Sequence, residues 1–388
     1  MYLSKKLIAP GLALALLFSL AGCMADPAVK VPSPGSVVVP GGTPAPSQSA
    51  APNPFADRGM RLALCTSPAT VNDRACNAAC YEGVLNFMIS RNLIDTVSPL
   101  QELTGDPDEA VRFLQQAAEN YDVFLCVGPV FSKAAAFARE HPDRYVIVMD
   151  AAVDGQADNL CSVSYAEEQC GFFAGIAAAM ETQTGRVAVI NSIPDEANTR
   201  YYYGFRSGIA YTNGNFGTTA EVVQLYDPEY EGRSESGAYV EGNYTQGPAG
   251  QDAGYSLATV LIANGCDVLF VAAGASGSGA YTAAGEHDNV WIIGSESDQF
   301  SYGGKADGSN FVLTSTTKNL VIETEARINS IINGTFQSGN HRLTAADNAL
   351  SYVSADDHQQ LSEKTLKALA DAYPMMQNGT IVPGTGPQ

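Results

Sequence analysis

Seven short runs, each apolar along its whole length and each followed by a stretch of helical periodicity, constrain this chain more than any other feature. They are RLALC (61–65), YDVFLCVG (121–128), YVIVMD (145–150), GRVAVIN (185–191), CDVLFVAAG (266–274), VWIIGSE (290–296) and FVLTST (311–316). A strand apolar on both faces must be covered on both, which a parallel sheet wrapped by its own crossover helices provides. Helical patterns fill the spaces at 75–91, 107–120, 132–139, 167–182, 201–210, 252–264 and 318–332. The expected class is therefore α/β, doubly wound. A folded part of about 330 residues exceeds one compact core, so two lobes are expected.

The N-terminus has a different character. Lys5 and Lys6 precede an apolar run over 7–20 that ends in Leu20-Ala21-Gly22-Cys23. Such a run is too short to span a hydrocarbon layer of roughly 30 Å, and its basic start and small residues before a Cys describe a lipoprotein signal over residues 1–22. Cys23 is expected to become the first mature residue and to carry acyl chains, anchoring the protein on the extracytoplasmic face of the membrane. Residues 23–57 are rich in Pro, Ser, Gly and Ala and read as a tether. The first lobe is expected over 58–158 and the second over 159–317, with the polar segment 150–159 as the first crossing. Residues 319–340 and 345–388 would complete the first and second lobes respectively. The polar stretch 226–250 reads as a surface loop.

With 41 acidic against 21 basic residues and a formal charge of −20, the chain lacks the cation clusters that nucleic acid or anionic lipid requires. Cys23 leaves seven further cysteines, an odd number, so at least one thiol stays free. Cys76 and Cys80 have helical spacing, but no neighbouring His or acidic pattern in the sequence completes a zinc site, and neither metal nor cofactor is expected. GASGSGA lacks the spacing of a dinucleotide turn, and none of His141, His287, His341 or His358 falls in a hydrolase or zinc-protease pattern. No catalytic residue is assigned, and the expected activity is binding.

In open α/β sheets, ligands sit beyond the carboxyl ends of the strands. The segments there are 67–73, 128–129, Asp150, 191–195, 274–279, 296–299 and 314–318, a set of carboxylates, amides and hydroxyls with one lysine. That set suits a neutral, hydroxyl-bearing ligand held in a cleft between two lobes.

The segments VNDRACNAACYEG (71–83), VIVMDAAVDG (146–155), EEQCGFFAGIAAAM (167–180), RYYYGFRSG (200–208), GCDVLFVAAGASGSG (265–279), IIGSESDQF (292–300), LTSTTK (313–318) and NGTIVP (378–383) occur in one order. In this the chain resembles the basic membrane protein family of bacterial lipoproteins, whose characterised members are ABC-transporter substrate-binding proteins for purine nucleosides. The resemblance implies a type I periplasmic-binding-protein fold, two Rossmann-like lobes with parallel sheets joined by three hinge strands. It also implies a monomer working with permease and ATPase subunits. It places Asn72, Asp73 and Asn77 on the first-lobe side, Asp150 at the polar edge of the base, and Asp298 and Lys318 at the ribose hydroxyls. Gly274 would let backbone approach the ligand. Three positions depart from the family: Ser67 for an Asp, Cys76 for a stacking aromatic and Glu296 for an Asp. Phe270 or the Tyr201-Tyr202-Tyr203 cluster could replace the lost ring. A lipid-anchored sensor of a sugar or signal molecule is the alternative, and a nucleoside hydrolase a remote one.

Overall fold

A computed structural model of the protein describes residues 52–56, 59–91, 97–234, 236–247 and 250–387. The signal segment, Cys23 and the tether up to residue 51 lie outside the described residues. In chain order the first elements are β1 (Leu62–Thr66), α1 (Cys76–Ser90), β2 (Leu100–Gln101), α2 (Pro107–Ala117), β3 (Val123–Val127), α3 (Ala134–Glu140), β4 (Tyr145–Met149) and β5 (Leu160–Tyr165). Then come α4 (Glu167–Glu181), β6 (Arg186–Asn191), α5 (Glu196–Phe216), β7 (Glu221–Val222), β8 (Glu231–Arg233), β9 (Tyr239–Asn243), α6 (Gln251–Ala263), β10 (Val268–Ala272), α7 (Ser278–Gly285), β11 (Trp291–Gly294) and β12 (Val312–Lys318). The chain closes with α8 (Leu320–Ile332), β13 (Gly339–Leu343), β14 (Leu350–Tyr352) and α9 (Glu363–Gln377).

All seven apolar runs are strands, divided between two six-stranded sheets ordered β13-β5-β4-β3-β1-β2 and β14-β12-β11-β10-β6-β7. The first sheet is parallel throughout, and the second is parallel except where β14 pairs antiparallel with β12. The chain passes from one sheet to the other after β5, after β12 and after β13. Three crossings between two doubly wound lobes make this the type I periplasmic-binding-protein fold.

Two boundaries differ from the sequence reading. The first crossing does not fall in 150–159, because β5 still pairs in the first sheet, Val146 opposite Leu160 and Arg342 opposite Ser164. Ser162 and Ser164 interrupt its apolar pattern, and the buried Ser162 hydroxyl is satisfied by the Asn340 side chain across the strand. The stretch 226–250 is not simply a surface loop. It folds into the β8–β9 hairpin and sends Tyr230 and Tyr244 inward, Tyr244 bridging Asn191 at the tip of β6.

Helices α4 and α5 cross with their backbones in contact. A Cβ placed on Gly204 would lie 2.1 Å from the Glu168 carbonyl oxygen, and one on Gly171 2.3 Å from that of Tyr201. Gly175 and Gly208 meet the facing helix in the same way, at 2.3 and 2.2 Å. Only hydrogen fits at these four positions, and the close approach sets the heads of the two helices, with Glu167 and Tyr201, beside one another. Gly204→Ala is expected to destabilise the protein by about 1–3 kcal/mol or more through overpacking. Gly214→Ala, on the same helix with nothing within 4 Å of the added carbon, is expected to stabilise it by up to about 1 kcal/mol. Denaturant unfolding of the two variants checks this pair, and equal shifts would refute the backbone-contact explanation.

Candidate functional site

Lys318 is the last residue of β12, where the chain makes its second crossing, and its side chain is 1% exposed. Its Nζ lies 2.7 Å from Asp150 Oδ1, 3.1 Å from Glu167 Oε1 and 3.8 Å from Glu296 Oε1. Asp150 follows β4 in the first lobe, Glu167 heads α4, and Glu296 follows β11 in the second lobe, so one ammonium gathers carboxylates from both. The rings of Tyr201 and Tyr165 flank it at 5.3 and 5.5 Å. Asp150 and Glu296 both sit at left-handed backbone angles, φ 62° and 70°. That conformation costs of order 1–3 kcal/mol per residue and persists only where surrounding contacts hold it.

The charges do not balance within this cluster. Burial disfavours the Lys318 ammonium, yet Asp150, Tyr201, Glu167 and Glu296 outweigh it and raise the pKa well above that of an ordinary lysine. For Glu167, burial is overcome by Lys318 and by Arg200, whose Nε lies 2.8 Å from Oε2, and the carboxyl is lowered. Glu296 goes the other way. Burial raises its pKa, Lys318 opposes this, and Asp150, Asp73 and Glu167 add to it, leaving the carboxyl at about 8. Its Oε2, the hydroxyls of Tyr165 and Tyr201 and both amide atoms of Asn191 are buried without a hydrogen-bond partner among the described residues. A concentration of unsatisfied polar atoms at the strand tips asks for water or a polar ligand.

A second network joins Ser67, Asp73 and Asn77. The Asp73 carboxylate accepts from the backbone N–H groups of Ala75, Asn77 and Ala78 at 2.9, 3.0 and 3.0 Å and from Asn77 Nδ2 at 2.7 Å. Asn77 Nδ2 also donates to Ser67 Oγ at 2.9 Å. Asp73 satisfies N–H groups of the first turn of α1 and the three residues together fix the loop before it, with burial holding the Asp73 carboxyl above its usual range against those hydrogen bonds. Asp73 and Gly274 together line a small cavity of about 20 Å³, room for about one water. Cys76 projects into the cluster, its Sγ and the carboxylates of Asp150 and Glu296 lying within 4.8 Å of one another.

Two expected site residues lie elsewhere, and a third stands at the rim. Phe270 is fully buried in the core beneath α5, its ring stacked on Phe205 at 5.8 Å and edge-on to Tyr201, so it offers no wall to the cleft. Asn72 is exposed, its N–H turned back to the Thr70 hydroxyl. Asp298 points outward, accepting from the Phe300 N–H at 3.0 Å and pairing with His358, which stacks on Phe300. Asp298 thus stands at the cleft's rim and not beside Lys318.

Glu167, Tyr165 and Arg74 carry more of the site than their motifs implied. Tyr165 and Glu167 were obscured because β5 was not recognised as a strand, so neither was placed at a strand tip. Arg74, at φ 59°, spans the lobes. Its carbonyl accepts from Gln299 Nε2 at 3.0 Å and from the Ser297 hydroxyl at 3.4 Å, and its guanidinium carbon lies 4.2 Å over the Tyr302 ring. Beside these contacts is a groove of about 640 Å³ lined by Arg74, Glu296, Ser297, Asp298, Tyr302 and Lys318. Its size is within the usual range for small-molecule sites.

Two lobes crossed three times by the chain, with polar groups converging where their strand tips face, define a solute-binding protein. The chain belongs to the Bmp family, described as ABC transporter substrate-binding protein PnrA-like, which it matches over residues 61–242 and 234–382. It is 26% identical over 273 residues to the ABC transporter nucleoside-binding protein BmpA of Lactococcus lactis, covering 67% of this chain and 71% of that protein. To the CD4+ T-cell-stimulating antigen of Listeria monocytogenes it is 23% identical over 330 residues, 81% and 85% of the two chains. Among solved structures, an ABC transporter solute-binding protein from Aeropyrum pernix superposes with a TM-score of 0.69 at 18% identity, over 84% of this chain and 94% of that one.

The raised Glu296 carboxyl has a consequence for stability. An unfolded glutamate loses its proton near 4.5, whereas the folded group keeps it to about 8. The folded state therefore binds more protons between these values, and this contribution is lost as pH rises through that window. Thermal melting from pH 5 to 9 is expected to show a decline that Glu296→Gln flattens. An unchanged slope in the variant would show that Glu296 ionises freely in the folded protein.

Proposed function

We propose that the protein captures a purine nucleoside between its lobes and delivers it to an ABC permease driven by an ATPase, while acyl chains on Cys23 hold it on the extracytoplasmic face of the membrane. The observation that carries this reading is the Lys318 cluster, which draws hydrogen-bonding groups from both lobes to one point. Asp150 would accept from ribose hydroxyls or base N–H groups, Glu296, which keeps its proton to about 8, would donate as well as accept, and the ammonium holds both side chains in place. The name of the Lactococcus lactis relative, a nucleoside-binding protein, favours the same ligand class. Closure follows from such an arrangement. A ligand touching both lobes gains contacts in the closed state that the open state lacks, and the closed population rises with it.

No helix of the described residues is long and apolar enough to cross a membrane; in this reading attachment rests on the lipid. Cys23→Ser is expected to move the protein from the membrane fraction to the soluble extracytoplasmic fraction, and retention in membranes would overturn the lipid anchor.

One observation favours a second reading. Cys76 supplies no ring and Phe270 is turned into the core, a polar set that would serve a pentose without a base. A thermal-shift panel of inosine, guanosine, adenosine, cytidine, uridine and ribose separates the two. The true ligand at about a hundred times its Kd is expected to add roughly 2.7 kcal/mol of stability. Asp150→Asn keeps a residue tolerant of the left-handed backbone and is expected to weaken that ligand at least tenfold, since truncating a buried charged hydrogen bond commonly costs about 2–5 kcal/mol. Stabilisation by ribose alone would assign the site to sugars, and no response to any of the six would overturn both readings.

A further inference from the structure

Cys76, beside Asp150 and Glu296, offers the cleft a thiol and no ring, yet the rim carries a planar group built from both lobes. Arg74 comes from the loop before α1 in the first lobe, and Tyr302 from the segment after β11 in the second. The guanidinium lies 4.2 Å over the Tyr302 ring, within the range of a favourable cation–π contact. A planar cation has two faces. One covers Tyr302, and Arg74 as a whole is exposed, lining the groove of about 640 Å³ that also reaches Glu296 and Lys318. No carboxylate pairs with this guanidinium among the described residues, so its in-plane N–H groups remain available to a ligand's edge.

The placement of Arg74 is rigid. Asp73 before it caps α1 with three backbone hydrogen bonds, and the Arg74 carbonyl is held from the other lobe by Gln299 and Ser297. A left-handed φ of 59° at a non-glycine residue is kept only by such surroundings. Where the lobes are together, the backbone that carries this side chain is thus held from both sides.

We infer that the Arg74–Tyr302 pair is the stacking platform for the ligand's heteroaromatic ring, an inference that rests on the capture of a nucleoside. The ring lies against the free face of the guanidinium, with its sugar directed toward Glu296 and Lys318. Because the platform exists only when the lobes are together, a ring placed on it also favours closure. Purines, with the larger overlap, are held better than pyrimidines, and a sugar without a base gains nothing from it.

Calorimetric titration of the full chain with inosine, guanosine, cytidine and ribose tests this. The variants are Arg74→Lys, which keeps the charge and loses the plane, Tyr302→Ala, and Tyr302→Phe, which keeps the ring. Melting temperatures near that of the unaltered protein confirm that each is folded. Purine nucleosides are expected to bind roughly tenfold more weakly to Arg74→Lys and Tyr302→Ala, Tyr302→Phe to bind as the unaltered protein, and any ribose binding to be the same in all four. Full purine affinity in both Arg74→Lys and Tyr302→Ala would overturn the platform and leave nucleoside capture standing. Failure of the unaltered protein to bind any nucleoside would overturn capture and platform together.

Discussion

A single buried ammonium organises this structure. Lys318 ends β12 at the point where the chain leaves the second lobe, and three carboxylates from separate elements turn toward it. Moving charges out of water costs several kcal/mol per ion unless partners compensate. Here compensation requires Asp150 and Glu296 to adopt left-handed backbone and α4 to begin with its acid directed inward. Removing the cation would leave the carboxylates facing one another. The order of strands, the crossings and the strained turns all meet at this one contact.

The helix pair behind the cluster serves the same end. Gly171, Gly175, Gly204 and Gly208 allow α4 and α5 to touch along their backbones, so the first turn of α4 and Tyr201 near the head of α5 stand close to the strand tips. Phe270 closes the space beneath them, stacked on Phe205. An aromatic in that position stiffens the floor of the site and takes no part in lining it. The rigidity passes upward to Tyr201, whose ring is edge-on to Phe270 and flanks the ammonium.

Much of the fold was legible because it depends on unbroken apolar runs, which the sequence shows directly. β5 was hidden by Ser162 and Ser164, whose acceptability depends on Asn340, far away in the chain, satisfying a buried hydroxyl. The β8–β9 hairpin was hidden because its inward residues are tyrosines in a polar, glycine-containing stretch, and polar composition outweighed them. Strand-tip reasoning pointed to Asp150, Glu296 and Lys318 among others, and the structure gathers these three at one ammonium. It misplaced Phe270 and set Asp298 beside Lys318 where the structure has it at the rim, since whether a residue near a strand end faces the sheet, the cleft or the rim depends on sub-turn geometry that spacing does not encode. Arg74 escaped notice for a related reason: its part is played by a carbonyl and by a partner ring on the other lobe.

The segment from Ser295 to Tyr302 carries two opposed contributions to closure. Gln299, Ser297 and Tyr302 bind Arg74 of the first lobe, which favours the closed arrangement. Glu296, in the same segment, meets Asp150 and Asp73 of that lobe, and its ionisation is disfavoured there. Separating the lobes would release both at once. A few hydrogen bonds and one stacked guanidinium are each of order 1 kcal/mol, comparable to the cost of crowding one partly screened carboxylate. In the proposed reading, a ligand that donates to Glu296 Oε2 would offset the unfavourable contribution without disturbing the favourable one. Its differential affinity for the closed state would then arise at the atom that has no partner among the described residues.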